Sequence, residues 1–150
     1  MNNEKFLEVI DSVPLVSIDL VLEDSKGRIL LGKRINRPSQ GYWFVPGGRI
    51  RKNERLANAI QRISSTELGT KISIANAKLL GAFDHIYPDN FQDVDGINTH
   101  YVALGYKAYV TDDLSIEPDD QHSEIKWWSK EDLLRDLTVH NNTKMYFEST

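Results

Sequence analysis

The sequence predicts an α/β fold in which a mixed β-sheet lies between helices, with α+β as the alternative arrangement. Three observations carry this. Strand-like segments outnumber helical ones, a helical pattern over 53–67 interrupts the strands after the first hairpins, and a short amphipathic helix opens the chain. The 150 residues suit one domain over 1–150.

Phe6, Val9, Ile10 and Val13 recur at helical spacing behind Asn2 or Asn3 as N-cap, and Pro14 ends that helix. Residues 15–22 form a strand, Asp24-Ser25-Lys26-Gly27 a hairpin turn, and residues 28–34 the returning strand. The segment 38–46 mixes Pro, Gly and aromatics and reads as loop with a short strand. Gly47-Gly48 follows, and Asn53 is positioned to cap a helix reaching Glu67, with Gly69 as its stop. Residues 78–87 and 99–110 read as two long strands joined by an exposed loop, 88–98. Pro118-Asp119-Asp120 breaks the chain before a strand at 124–128, and Ser129 caps a small helix through Arg135. The tail has the makings of another helix.

Composition excludes several function classes. Eighteen basic against 22 acidic residues leave a net charge of −4, without the basic excess that nucleic-acid binding requires. The absence of cysteine removes disulfides, thiolate zinc sites and a cysteine nucleophile. No apolar run is long enough to span a bilayer, and the first residues lack a secretory pattern, so a cytoplasmic location is expected.

The most informative stretch is Gly47-Gly48-Arg49-Ile50-Arg51-Lys52-Asn53-Glu54, followed after seven residues by Arg62, then Glu67 and Gly69. Two glycines permit positive φ or close approach of a ligand to the backbone, and the helix behind them favours an anion at its start. Gly48, Glu54, Arg62, Glu67 and Gly69 fall in register with the Nudix box, and the segment resembles that family. The resemblance implies a Nudix-type α/β/α sandwich. Family pyrophosphatases carry three helical glutamates, at positions held here by Ile63, Thr66 and Glu67, so one carboxylate remains. Several metal ions help water attack phosphorus, and one carboxylate cannot hold such an array. Attack at a sugar carbon demands less: a nucleoside diphosphate leaves once its charge is held, and histidine can activate the water.

The chain also resembles the GDP-mannose mannosyl hydrolase branch. The resemblance is carried by Pro14-Leu15-Val16-Ser17-Ile18-Asp19, by residues 31–38, by Gly41-Tyr42-Trp43-Phe44-Val45-Pro46-Gly47-Gly48-Arg49, by Thr99-His100-Tyr101-Val102 and by Pro118-Asp119-Asp120-Gln121-His122. It implies hydrolysis of GDP-mannose, with GDP-glucose a second candidate, by water attack at the anomeric carbon with inversion. It further implies one Mg²⁺ per subunit (Mn²⁺ being an alternative) on the Gly48 carbonyl, Glu67 and Gln121, with His122 as general base. Arg34, Arg49 and Tyr101 would hold the diphosphate, Asp19 and His85 would contact the sugar, and the protein would be a homodimer. Two other functions stay open: attack at phosphorus of a nucleoside diphosphate sugar, and nucleotide-sugar binding without catalysis.

Each assignment has an ordinary rival. His122 could be a surface histidine, His85 could pack beside Tyr87, and Asp19 could face solvent or a cleft. Arg34 and Arg37 could be surface charges paired with acidic residues. Glu54 and Arg62 are expected to form an internal ion pair bracing loop against helix. The tryptophans are expected in the core or at an interface, and His100 and His140 to be structural or exposed.

Overall fold

A computed structural model describes residues 1–110 and 122–148, with the side chains of His122 and Ser123 outside that description. Helix α1 (Asn3–Ser12) starts at Asn2, whose side chain accepts from the Lys5 amide. Strand β1 (Leu15–Glu23) turns at Gly27, in the left-handed region at φ 77°, into β2 (Ile29–Arg34). Short strands β3 (Trp43–Phe44) and β4 (Gly47–Arg49) precede helix α2 (Leu56–Leu68), which Gly69 ends in the left-handed region. After one 3-10 turn (Ile74–Asn76) come β5 (Lys78–Tyr87) and β6 (Thr99–Tyr109). Strand β7 (His122–Trp128), α3 (Lys130–Arg135) and α4 (Asn141–Lys144) complete the described chain.

These seven described strands form one sheet in the order β3-β2-β1-β6-β5, with β4 also on β1 and β7 also on β2. Strands β1 and β6 pair in parallel and the other pairs are antiparallel, so the sheet is mixed, as expected. The hairpin diverges at once: β1 and β2 share only the Glu23–Ile29 register, after which β1 turns to β4 and β6.

Alternation along β1 and β2 serves both faces. Ile18, Leu20, Leu22 and Leu30 pack with Ala59, Ile60 and Ile63 of α2. Val21, Ile29 and Leu31 pack with Trp43, Trp128, Leu133 and Val139 on the opposite face. Burial on both sides explains why these strands read as nearly continuous apolar runs. Trp43 and Trp128 are core residues, as expected, and Trp127 is partly buried.

Two local expectations need correction. Asn53 does not cap α2: Arg55 holds the N-cap position, and Asn53 sits two residues earlier at φ 66°. Asparagine suits both roles, and here the tight turn before the helix takes it. Gly47 and Gly48 do not use positive φ. A Cβ at Gly47 would lie 2.6 Å from the Ile18 carbonyl oxygen, and one at Gly48 would lie 3.1 Å from Ile63 Cγ1. These glycines let β4 press between β1 and α2.

Candidate active site

A cleft of about 610 Å³ lies at the end of the sheet where β2 and β5 finish and β1 and β6 begin. It is lined by α1, β4 and α2 as well, and it gathers residues far apart in sequence. Asp19, Arg34, Gly48, Arg49, Glu67, His85 and Tyr101 all line it. Gln121 lies outside the described residues, as does the side chain of His122. The His122 backbone begins β7 opposite Arg34 of β2.

The glycine turn is braced from behind. Arg62 of α2 donates to both carboxylate oxygens of Glu54, at 2.7 and 2.9 Å, and to the Arg49 carbonyl at 2.8 Å. Glu54 also accepts from the Arg51 amide at 3.0 Å. The expected ion pair is present, and it fixes the backbone beside Gly48. Hydrogen bonding from Arg62 holds the Glu54 carboxyl down at about 2.

The α2 face toward the cleft differs from residue to residue. Ile63 belongs to the core beneath Gly48, Thr66 is an exposed alcohol, and Glu67 is a buried carboxylate on the cleft wall. No group of three or more His, Cys, Asp or Glu able to hold a metal occurs among the described residues. A carboxylate and a backbone carbonyl fit one hard, oxygen-seeking dication rather than an array.

Asp19 points into the cleft, which decides between its two possible directions. Its Oδ2 accepts from the Tyr146 hydroxyl at 2.7 Å and lies 3.7 Å from His85 Nδ1. Burial pushes the Asp19 carboxyl up to about 6, opposed by the Tyr146 hydrogen bond and the Arg34 charge. Burial also drives His85 down to about 4, with His140 adding to the shift, so its imidazole is neutral near pH 7. His85 meets Tyr87 edge-on at 6.5 Å and also lines the cleft, so packing and exposure to the cleft coexist. Its Nε2 is buried without a hydrogen-bond partner among the described residues.

The cations divide. Arg34 donates to the Pro38 carbonyl at 3.1 Å and stands over the Phe44 ring, with its guanidinium in the cleft. Arg49 lies over the Phe6 ring at 4.7 Å. Arg37 pairs with Asp89 at 3.2 Å and Asp93 at 3.5 Å, as an ordinary surface charge would. His140 caps α4 through Nδ1 and stacks on Phe44, a structural role, and His100 lies 4.0 Å from Asp84.

Sequence reasoning missed the aromatic wall of the cleft: Phe6 of α1 against Phe91 of the 88–98 loop, with Tyr87 nearby. Most of that loop is exposed, as expected, but Asp89, Phe91 and Ile97 are half-buried and Asn90 is buried. This fully buried side chain donates to the Val94 and Ile97 carbonyls and accepts from the Gln92 and Val94 amides. A lone asparagine in a polar loop carries no signal of that role.

A family model described as the NUDIX domain matches residues 13–148. The chain belongs to the Nudix hydrolase family. Among curated proteins it is similar to the low-salt glycan biosynthesis protein Agl8 of Haloferax volcanii, 42% identical over 125 residues that cover 83% of this chain and 76% of that protein. Among solved structures it resembles a MutT NUDIX hydrolase from Burkholderia pseudomallei, at 29% identity and TM-score 0.71, covering 90% of this chain and 96% of that one. The MutT protein of Methanosarcina mazei shares the fold at TM-score 0.73 and 21% identity, over 91% and 92% of the two chains. No helix among the described residues is long and apolar enough to cross a membrane.

Proposed function

We propose that the chain hydrolyses a GDP-sugar, with GDP-mannose as leading substrate, by attack of water at the anomeric carbon to give GDP and the inverted free sugar. The observation that carries this reading is the α2 wall, where Glu67 is the lone carboxylate and Ile63 is absorbed into the core. A site with one such ligand is poorly equipped to assemble water attack at phosphorus, which leans on several cations.

Glu67, the Gly48 carbonyl and Gln121 would hold a single Mg²⁺ or Mn²⁺. Such a cation, when bound, supplies positive charge to the departing diphosphate. Arg34 and Arg49, which both line the cleft, add positive charge for the diphosphate, and Tyr101 supplies a phenol that burial keeps protonated. On the sugar side, the orphaned His85 Nε2 gains a partner when a hydroxyl arrives, and Asp19 accepts from another. His122 takes the proton from water as oxygen bonds to carbon and the carbon–oxygen bond to GDP breaks. Approach opposite the leaving group inverts the anomeric centre. The name of the Agl8 relative, a glycan biosynthesis protein, agrees with sugar-nucleotide chemistry.

Hydrolysis of GDP-mannose with Mg²⁺ in ¹⁸O-labelled water tests the proposal. Label in mannose supports it. Label in GMP or sugar phosphate moves attack to phosphorus, and binding without turnover makes the domain a nucleotide-sugar binder.

A further inference from the structure

Asp19 and Tyr146 are 127 residues apart, yet the Tyr146 hydroxyl donates to Asp19 Oδ2 at 2.7 Å. Burial raises the Tyr146 phenol well above its ordinary range, so it stays protonated and remains the donor. The other group near Oδ2, His85 Nδ1 at 3.7 Å, is beyond hydrogen-bond reach. Tyr146 is absent from the cleft wall and reaches Asp19 from behind.

Its approach depends on a notch in β6. Gly105 pairs with Asp19 in the parallel β1–β6 register, and a Cβ there would come within 2.5 Å of Tyr146 Cε1. Phe83 of β5 meets the ring edge-on at 4.8 Å, and the tail is also tied down where Thr143 Oγ1 accepts from the Val45 amide at 3.3 Å. Asp19 Oδ1, meanwhile, lies beside Gly47, whose missing side chain leaves that oxygen room. One carboxylate oxygen is therefore tethered and the other is left on the cleft side.

We infer that Tyr146 is a positioning residue: through its hydroxyl, the C-terminal segment fixes the Asp19 carboxylate so that Oδ1 is presented to the sugar. This rests on the reading of Asp19 as a sugar contact. Twisting the carboxylate part-way about its Cβ–Cγ bond, or letting the side chain sample two χ1 rotamers, misplaces its acceptor lone pairs by more than the tolerance of a positioned substrate.

The test is a double-mutant cycle of Tyr146→Phe and Asp19→Ala with GDP-mannose, accompanied by GDP affinity and a crystal structure of Tyr146→Phe. The phenylalanine variant keeps the ring and its packing. It is expected to lose about tenfold in kcat/KM with GDP affinity within a factor of about two, and to lose nothing further in the Asp19→Ala background, where there is no acceptor left to position. In its crystal structure Asp19 is expected to leave its present orientation or split between two. Equal losses in both backgrounds, or wild-type kinetics, overturn the inference. Absence of wild-type turnover of GDP-mannose would count against the proposed reaction instead, and the crystal structure would still decide: an unmoved Asp19 in Tyr146→Phe overturns the tether by itself.

Discussion

Two carboxylates beside the same cleft have been driven in opposite directions. Glu54 is gripped by both arms of Arg62 and held down at about 2, whereas Asp19 has a phenol for its partner and is pushed up to about 6 by burial. The difference lies in what each neighbourhood provides. Glu54 has a cation in bidentate contact, which makes its charge a support for the fold. Among the described residues Asp19 has only the neutral imidazole of His85 within salt-bridge distance, so its charge is held at a cost. A charge that stabilises its surroundings braces the glycine turn, and one that does not is available to a ligand.

The largest effect expected concerns which group takes the proton from water. His122→Gln should lower kcat by roughly 10²–10⁴-fold, the usual worth of a general base, while leaving GDP affinity nearly unchanged. Asp19→Asn should cost less, about 10–10²-fold in kcat/KM, because the amide still fills the space and still meets a hydroxyl. Steady-state kinetics of the two variants settle the order. If Asp19→Asn proves the more damaging, the base role passes to Asp19, whose carboxyl near 6 is suited to it.

Next in size is the brace. Glu54→Gln removes the partner of Arg62 and loosens the Arg49 carbonyl that Arg62 holds. A paired charge of this kind is worth about 2 kcal/mol once screening by the solvent that reaches Arg62 is allowed for. Urea unfolding should show that loss at pH 7. The Glu54 carboxyl is depressed in the folded chain, so its contribution is complete above the unfolded value near 4.5 and fades as pH falls toward about 2. Wild type and variant should therefore converge in stability in acid. A constant gap would show that the pair acts through packing and not through charge.

The brace was legible in the sequence and the Asp19 environment was not, for a physical reason. Glu54, Arg62 and Gly69 act across one turn and one helix, so their spacing preserves their geometry, and the same locality exposes the caps at Asn2 and Ser129. Asn53 failed because one residue satisfies two local preferences and periodicity cannot rank them. The direction of Asp19 was undecidable because β1 is buried on both faces, so alternation names no outside. Its partner Tyr146 and the notch at Gly105 are set only by sheet order, which brings β1, β6 and the tail together. The aromatic pair Phe6–Phe91 was hidden by the same distance along the chain.

The smallest effect expected is also the one with the opposite sign. Asp19→Asn should stabilise the unliganded protein at neutral pH, although it harms activity. The folded carboxyl, near 6, lies above its unfolded value of 3.8, so the folded state binds the proton more tightly. Above about pH 6 the wild type must ionise a poorly solvated group to stay folded. Below about pH 4 both states are protonated, and that penalty vanishes. The variant should therefore gain about 1–2 kcal/mol at pH 7, with part of the shift offset by the altered Tyr146 contact. Its advantage should shrink through the window from about 6 to 4 and be absent at pH 3.5. Urea unfolding across that range, with Glu54→Gln run beside it, gives two curves with separate origins. The Glu54 variant's deficit begins to close only near pH 4.5, where the Asp19 variant's advantage has largely gone. An Asp19→Asn protein less stable than wild type at pH 7 would mean that the Tyr146 tether outweighs burial, and Asp19 would then belong with Glu54 as a structural carboxylate.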